Sequence, residues 1–300
     1  MKTYDLIIVG GGTAGMLCAL NCKKKGIENI LIIEKDGTLG GALNLLNFPL
    51  ECNEYKSSNE YKQDLINKIS ELDVDIQLNT LVININENGN LVCVSPTNGV
   101  EELNAKAIVL ANGSKEKALN TLELDGDRCS GVISLKTAKK ILNMDSVVPG
   151  KNIVIYGNEN LSFIESDLKR KNANIVALVE NNINNDNFDL TNSVYNGYKV
   201  TTLKGKDRLS SITISNGTEE KEIFCDCLIF AQGLLSDGLV SFRSNIALNP
   251  ETTGPKVNDF FETSRKNVFA CGDGIYIHTS LQQLEKESNL MTDTLVQAIK

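Results

Sequence analysis

Tyr4-Asp-Leu-Ile-Ile-Val-Gly-Gly-Gly-Thr-Ala-Gly15 is the stretch around which the chain is organised. The apolar run Leu6 to Val9 reads as a buried parallel strand. It enters Gly10-x-Gly12-x-x-Gly15, and a helical stretch follows from about Thr13 to Lys25. Gly10 suits a tight turn, Gly12 admits a pyrophosphate to the backbone, and Gly15 lets the helix pack on the strand. The free N–H groups of Thr13, Ala14 and Gly15 and the positive end of the helix dipole then face the phosphates. A second apolar run, Ile30 to Ile33, ends in Glu34, where a carboxylate accepts hydrogen bonds from a ribose diol. Strand, glycines, helix, strand and terminal acid in this order point to a dinucleotide site.

Length and composition bound the rest. Three hundred residues suit one large or two mid-sized domains, and 41% hydrophobic with 23% charged residues is ordinary for a globular chain. The net charge is −8, and no basic cluster interleaves with aromatics, so nucleic acid and anionic membranes are poor partners. No apolar run reaches the roughly 18–20 residues of a membrane span. Met1 to Asp5 leaves no room for a signal peptide, so the expected location is the cytoplasm.

Eight cysteines are present and none forms C-x-x-C; with His278 the only histidine, no metal site is expected. Cys18 and Cys22 lie one helical turn apart and read as small buried thiols; Cys52 falls in the 44–58 loop. Cys225-x-Cys227 reads as one strand with both side chains on one face, either core packing or a redox pair.

Downstream, Lys35-Asp-Gly-Thr-Leu-Gly-Gly41 is a glycine-rich turn whose backbone can meet a cofactor, and residues 44–58 read as a loop. Tyr61 to Leu72 has helical periodicity. Two hairpin-like strands follow over 75–94, with Asn88-Gly89 as the turn, and a buried strand from Lys106 ends at Ala111-Asn112-Gly113. After Pro149-Gly150 a second strand–turn–helix–strand unit spans Asn152 to Glu180, with its helix at about Leu161 to Lys171. Asn181 to Asn187 reads as a surface loop. Val268-Phe-Ala-Cys-Gly-Asp-Gly274 and a helical tail from about Ser280 close the chain. The expected class is α/β, with two Rossmann-like three-layer dinucleotide-binding domains, the second inserted in the first.

Four motifs in this order resemble the pyridine nucleotide-disulfide oxidoreductases, the flavoprotein family that includes the thioredoxin reductases. They are Gly10-x-Gly12-x-x-Gly15 with Glu34, the strand ending Ala111-Asn112-Gly113, the second βαβ unit, and Val268 to Asp273. Asn112 departs from the family's usual threonine. The resemblance implies an FAD domain of residues 1–117 and 245–300 interrupted by an NAD(P)-binding-like domain, 118–244, and no added dimerisation domain. Gly126-Asp-Arg-x-x-Gly-Val132, Pro149-Gly-Lys-Asn-Ile-Val-Ile and Ile277-His278, with Asn44, look like a branch found with glycerol-3-phosphate dehydrogenases.

By this resemblance Glu34 holds the adenosine ribose of FAD and the Gly10–Gly15 turn its pyrophosphate. Lys35, Gly40, Gly41, Asn44, Val82, Ala111, Asn112, Gly113 and Gly272 complete the cofactor contacts, and Asp273 bonds the ribityl chain. The following helix aims its N-terminus at the flavin edge where negative charge grows on reduction. His278 matches the branch's histidine, either a proton shuttle or a packed or solvated loop residue. Thr279 stands where the branch has an aspartate, so a His–Asp couple is expected to be lost. The paired sulfurs of a dithiol relay are missing, so disulfide reduction is not expected. In the second domain Gly157 keeps the tight turn, but Glu159 and Ser162 replace the other glycines. A carboxylate there opposes a pyrophosphate, which leaves NADH in doubt although Glu180 would favour it over NADPH. The resulting expectation is an FAD-dependent oxidoreductase without a redox disulfide, passing electrons to or from a partner. The partner is a glycerol-3-phosphate dehydrogenase-like subunit, an electron-transfer protein or a small acceptor. Two alternatives stand: an NADH-dependent flavin oxidoreductase, and a non-catalytic flavin-binding subunit. A homodimer is left open.

Overall fold

The computed structural model describes residues 3–45, 55–117, 124–143, 147–180, 191 and 193–299. Cys52, most of the 44–58 loop and the Asn181–Asn187 loop lie outside the described residues.

The chain divides into two compact units, residues 1–115 with 234–300, and residues 116–233. In the first unit β1 (Thr3–Val9) leads into α1 (Thr13–Lys24), followed by β2 (Ile30–Ile33), a 3-10 turn (Gly41–Asn44) and α2 (Ser58–Ser70). Then come β3 (Asp75–Gln77), β4 (Leu81–Ile85), β5 (Leu91–Ser95), β6 (Gly99–Leu110) and β7 (Ser114–Glu116). The sheet runs β3-β2-β1-β6-β5-β4. β1, β2 and β3 are parallel to one another and to the C-terminal half of β6. The N-terminal half of β6 pairs antiparallel with β5, and β5 with β4, so one long strand serves a parallel sheet and a meander.

Both faces of the parallel sheet are buried, which explains why its strands are continuously apolar. Leu6, Ile8, Ile30 and Ile32 face one core with Met16, Ala19 and Leu20 of α1. Ile7, Val9, Leu31 and Ile33 face the other, under Val82, Leu91 and Cys93 of the meander. The second unit repeats this plan. Its elements are β8 (Asp125–Gly126), β9 (Val132–Ser134), α3 (Leu135–Asn143), β10 (Ile153–Tyr156), α4 (Ser162–Arg170) and β11 (Ile175–Glu180). β12 (Val194–Asn196), β13 (Lys199–Gly205), β14 (Leu209–Ser215), β15 (Glu220–Phe224) and β16 (Cys227–Phe230) follow. The parallel sheet β12-β11-β10-β16-β9 carries α3 and α4 on one face, and the β13–β15 sheet covers the other. The chain re-enters the first unit through β17 (Leu234–Ser236) and α5 (Leu239–Arg243). β18 (Val268–Ala270) pairs with β6, and α6 (Leu281–Ile299) lays Met291 and Leu295 on α1's core.

Several expectations are corrected. α2 starts at Ser58 rather than Tyr61, because the Ser57 hydroxyl accepts from Glu60 N and caps the helix. Residues 75–77 are not half of a hairpin; they extend the parallel sheet beside β2, and the hairpin is β4–β5. The return to the first unit falls at Leu234, not 245. Val240 of α5 is part of the meander-side core, and the Ser244 hydroxyl accepts from Ile85 N at 2.8 Å. Cys225 and Cys227 do not share a face. Asp226 turns the chain between β15 and β16, its carboxylate accepting from Lys151 N and Asn152 N, and the two thiols enter opposite cores.

Backbone contact at the first glycine turn dictates how β1, α1 and β6 meet. Gly10 has φ +112°, and an added Cβ would lie 2.2 Å from Ala111 O. One at Gly15 would lie 1.9 Å from Gly10 O, whereas at Gly12 the nearest atom is 3.8 Å away. Gly10→Ala and Gly15→Ala are therefore expected to destabilise the protein by about 1–3 kcal/mol each, through strain and overpacking. Gly12→Ala is expected to stay within about 0.5 kcal/mol of the parent. Urea denaturation of the three variants checks this ordering.

Candidate functional site

In the first unit the chain's separated motifs converge. Gly12 is the N-cap of α1 and no side chain caps the helix, so its first N–H groups carry no side-chain partner. Gly41 lies directly against Gly12: a Cβ there would meet Gly12 Cα at 2.9 Å. The stem of Lys62 lies against Gly40, placing a cationic residue beside the second glycine turn. Asn44 ties this turn together, its amide donating to Leu39 O at 3.0 Å.

Glu34 is buried at the end of β2, and its carboxylate is held by backbone on both sides. Oε2 accepts from Gly11 N at 2.6 Å and Oε1 from Asp36 N at 2.8 Å. These bonds offset much of the cost of burying a charge and fix its direction. Lys35 is exposed. Val82 is buried in the meander-side core, so only its backbone is available to a ligand.

At the other end, Ala111 N donates to Val9 O, and Asn112 follows with its buried Oδ1 lacking a hydrogen-bond partner. Gly272 abuts Ala14: a Cβ added to it would lie 2.6 Å from the alanine Cβ. One at Gly274 would lie 3.5 Å from Asn112 N and 3.6 Å from Gly113 N. The Gly10–Gly15, Gly40–Gly41, Ala111–Gly113 and Gly272–Gly274 loops thus share one end of the parallel sheet. Bare glycine backbone, an uncapped helix, an oriented carboxylate and an orphaned amide oxygen fit an extended dinucleotide with a polar ring at its far end.

His278 corrects an expectation. Replacement of the neighbouring aspartate by Thr279 does not abolish a His–carboxylate couple, because Asp273 supplies it from five residues upstream. His278 Nδ1 lies 2.9 Å from Asp273 Oδ1, and its backbone N donates to the same oxygen at 3.0 Å. Nε2 lies 3.1 Å from Glu287 Oε2 on α6. The imidazole stacks on Tyr276 at 4.4 Å, with 4% of its side chain exposed. Burial opposes its charge, but the Asp273 and Glu287 carboxylates outweigh this and raise it to about 9. With both ring nitrogens engaged, the ring is ill placed for the shuttle role.

The second unit repeats the glycine turn but not the helix start that follows it. At Gly157 (φ +100°) an added Cβ would lie 2.2 Å from Ala231 O, as at Gly10. Ala231 N donates to Tyr156 O, so Ala231-Gln232-Gly233 is the structural counterpart of Ala111-Asn112-Gly113. That signal, Ala-amide-Gly after an apolar run, was present in the sequence. The helix after Gly10 begins three residues on, at Thr13; after Gly157 it begins five residues on, at Ser162. Asn160 has φ +62°, and Leu161 is the N-cap. Glu159 is exposed beside Gly233, and Glu180 ends β11. The start of α4 thus lies farther along the chain from its glycine turn than the start of α1 does.

The described cysteines are free thiols, seven of them, and Cys129 is the one that is not fully buried. Burial raises its thiol, and it pushes Cys225 and Cys227 up to about 12. Among the described residues no cluster of His, Cys, Asp and Glu has the arrangement of a metal site. No described helix is long and apolar enough to cross a membrane.

A model of the family described as pyridine nucleotide-disulphide oxidoreductase matches residues 4–184 and 189–291. The chain is similar to a soluble pyridine nucleotide transhydrogenase of Colwellia psychrerythraea, 23% identical over 91% of this chain and 66% of that protein. The chain therefore spans just under two thirds of that relative. A ferredoxin–NADP reductase of Picrophilus torridus is 22% identical over 91% of this chain and 86% of its own length. In fold the chain resembles a thioredoxin reductase of Lactococcus lactis, with a TM-score of 0.75, 16% identity and 99% of both chains covered. With the motif loops gathered at one sheet end and the βαβ plan repeated, the chain belongs to the pyridine nucleotide-disulphide oxidoreductase family and has a thioredoxin-reductase-like fold.

Proposed function

We propose that the first unit binds FAD and that the protein passes electrons between FAD and a partner protein or small acceptor, without a redox-active disulfide and with an impaired nicotinamide site. The observation that carries this reading is the contrast between the two glycine turns. The first keeps an open Gly12 against Gly41 and a helix starting at Thr13; the second places Glu159 in the loop and starts its helix two residues later.

The chain's own residues have distinct tasks here. α1 offers its first N–H groups to the pyrophosphate, Glu34 orients the adenosine ribose, and Asp273 takes the ribityl chain. Bound FAD supplies reversible acceptance of one or two electrons. Partner identity follows the relatives in class only. The ferredoxin–NADP reductase favours a small electron carrier, and the motif likeness adds a glycerol-3-phosphate dehydrogenase-like subunit. A second reading, an NADH-dependent flavin oxidoreductase, is favoured by the intact Gly157 turn and by Glu180 at the end of β11.

The purified protein is expected to be yellow and to release FAD, not FMN, on denaturation. Gly12→Val is expected to abolish binding while leaving the fold intact; colourless protein that cannot be reconstituted would refute the assignment. Anaerobic stopped flow is expected to show slow bleaching of the flavin band by NADH and by NADPH. Screening at exposed Glu159 limits its repulsion of a phosphate to about 5- to 10-fold in affinity, so Glu159→Gly with Ser162→Gly should accelerate reduction by at least that factor. Fast saturation by micromolar NADH in the parent would establish the second reading instead. Finally, Cys129→Ser is expected to leave flavin reduction by the true donor unchanged, and thiol titration should find no new thiols after two-electron reduction.

A further inference from the structure

Glu287 stands in the middle of α6, 6% exposed, and no sequence motif marks it. Its two carboxylate oxygens reach different parts of one loop. Oε1 accepts from Gly272 N at 2.7 Å, and Oε2 faces His278 Nε2 at 3.1 Å. On the opposite side of the ring, Nδ1 faces Asp273 Oδ1 at 2.9 Å. The result is a chain of contacts from helix to loop: Glu287, His278, Asp273, with Gly272 held independently.

The geometry restricts the protonation state. A neutral imidazole has one N–H, so one of its nitrogens would direct a lone pair at a carboxylate oxygen about 3 Å away. Both contacts become hydrogen bonds when the ring carries two protons, and imidazole is the most basic of the three groups. The groups facing it are Asp273 from the 3-10 turn Gly272–Gly274, Glu287 from α6 and the stacked Tyr276 ring. Buried Cys271 of the preceding segment lies close enough to Glu287 to be raised by it.

We propose that Glu287 is a positioning residue of the cofactor site: through a doubly protonated His278 and through Gly272 N it clamps Asp273 in the orientation the ribityl chain requires. His278 is then a fixed cationic link between two carboxylates and does not deliver protons to a substrate. The cofactor half of this inference rests on the FAD reading; the clamp does not.

Because His278 is the sole histidine, its ring can be followed without ambiguity by NMR of the full-length protein. In the parent it is expected to titrate near 9. The sign follows from linkage: the folded value lies above the unfolded value of about 6.5. The clamp's contribution to stability is therefore complete below about pH 6.5, declines as pH rises toward about 9, and is absent above it. In Glu287→Gln the amide oxygen can still accept from Gly272 N, which preserves the fold. The amide NH2 then faces Nε2 and favours a neutral ring protonated on Nδ1. The titration is expected to fall by at least about one pH unit and the decline in stability over that window to flatten. FAD dissociation, read as flavin fluorescence on dilution of the loaded protein, is expected to weaken binding by about tenfold, the scale of one charged hydrogen bond. Glu285→Gln, whose carboxylate accepts from Tyr61 Oη and not from His278, should leave the histidine titration unchanged. A parent histidine titrating at or below about 6.5, or one unmoved by Glu287→Gln, overturns the clamp. A shifted titration with unaltered FAD binding overturns its role in positioning. If the parent never takes up FAD while His278 still titrates near 9 and responds to Glu287→Gln, the clamp is sustained and the FAD reading fails.

Discussion

The first unit depends on a contact between backbones. At Gly10 and Gly15 the end of β1, the start of α1 and the end of β6 approach so closely that a single Cβ would overlap a carbonyl oxygen. This approach lets α1 bury Met16, Ala19 and Leu20 over the same strands that α6 covers with Met291 and Leu295. It also leaves the N-terminus of α1 beside the strand ends, where unsatisfied N–H groups and bare glycine backbone favour an anion. Packing and ligand binding therefore draw on the same glycines in different proportions. Gly10 and Gly15 answer to the fold, while Gly12 has room that the fold does not use.

The second unit separates those two demands. Its Gly157 meets Ala231 as Gly10 meets Ala111, and the sheet, helices and covering β-layer are retained. What has changed is the segment that the core does not constrain. Asn160 in the left-handed region unwinds the start of α4, and an exposed carboxylate occupies the loop. The buried Lys139–Asp167 pair joins α3 to α4 beneath it, so this helix is anchored by its body rather than by its phosphate-binding end. The fold can be retained while this loop differs because burial drives the fold and the loop lies outside the core.

Electrostatics at the C-terminal motif follow the same economy of placement. Three ionisable groups, individually costly to bury, are mutually satisfied because one cation lies between two carboxylates and a backbone N–H takes a remaining oxygen. The cluster ties the Gly272–His278 loop to α6 through side chains as well as through its own turn.

Much of this was legible in the amino-acid order. Continuous apolar runs bounded by glycine specify buried parallel strands, and the spacing from Gly10 to Glu34 specifies the first βαβ unit; these are local patterns. Residues 99–105 were not legible because that half of β6 alternates and is only weakly apolar. Contacts between distant segments were not legible. The C-terminal motif marks Asp273 as a candidate site residue, but its couple with His278 depends on how the loop folds back. Glu287 joins them only because α6 returns across that loop. The turn at Asp226 sends Cys225 and Cys227 into opposite cores, and the late start of α4 reflects one residue's backbone conformation. Sequence by itself determined the periodic elements and their glycine punctuation, because those depend on neighbours a few residues away. Tertiary structure alone decided the partners of His278 and the orientation of the cysteines, because each depends on where segments meet in space.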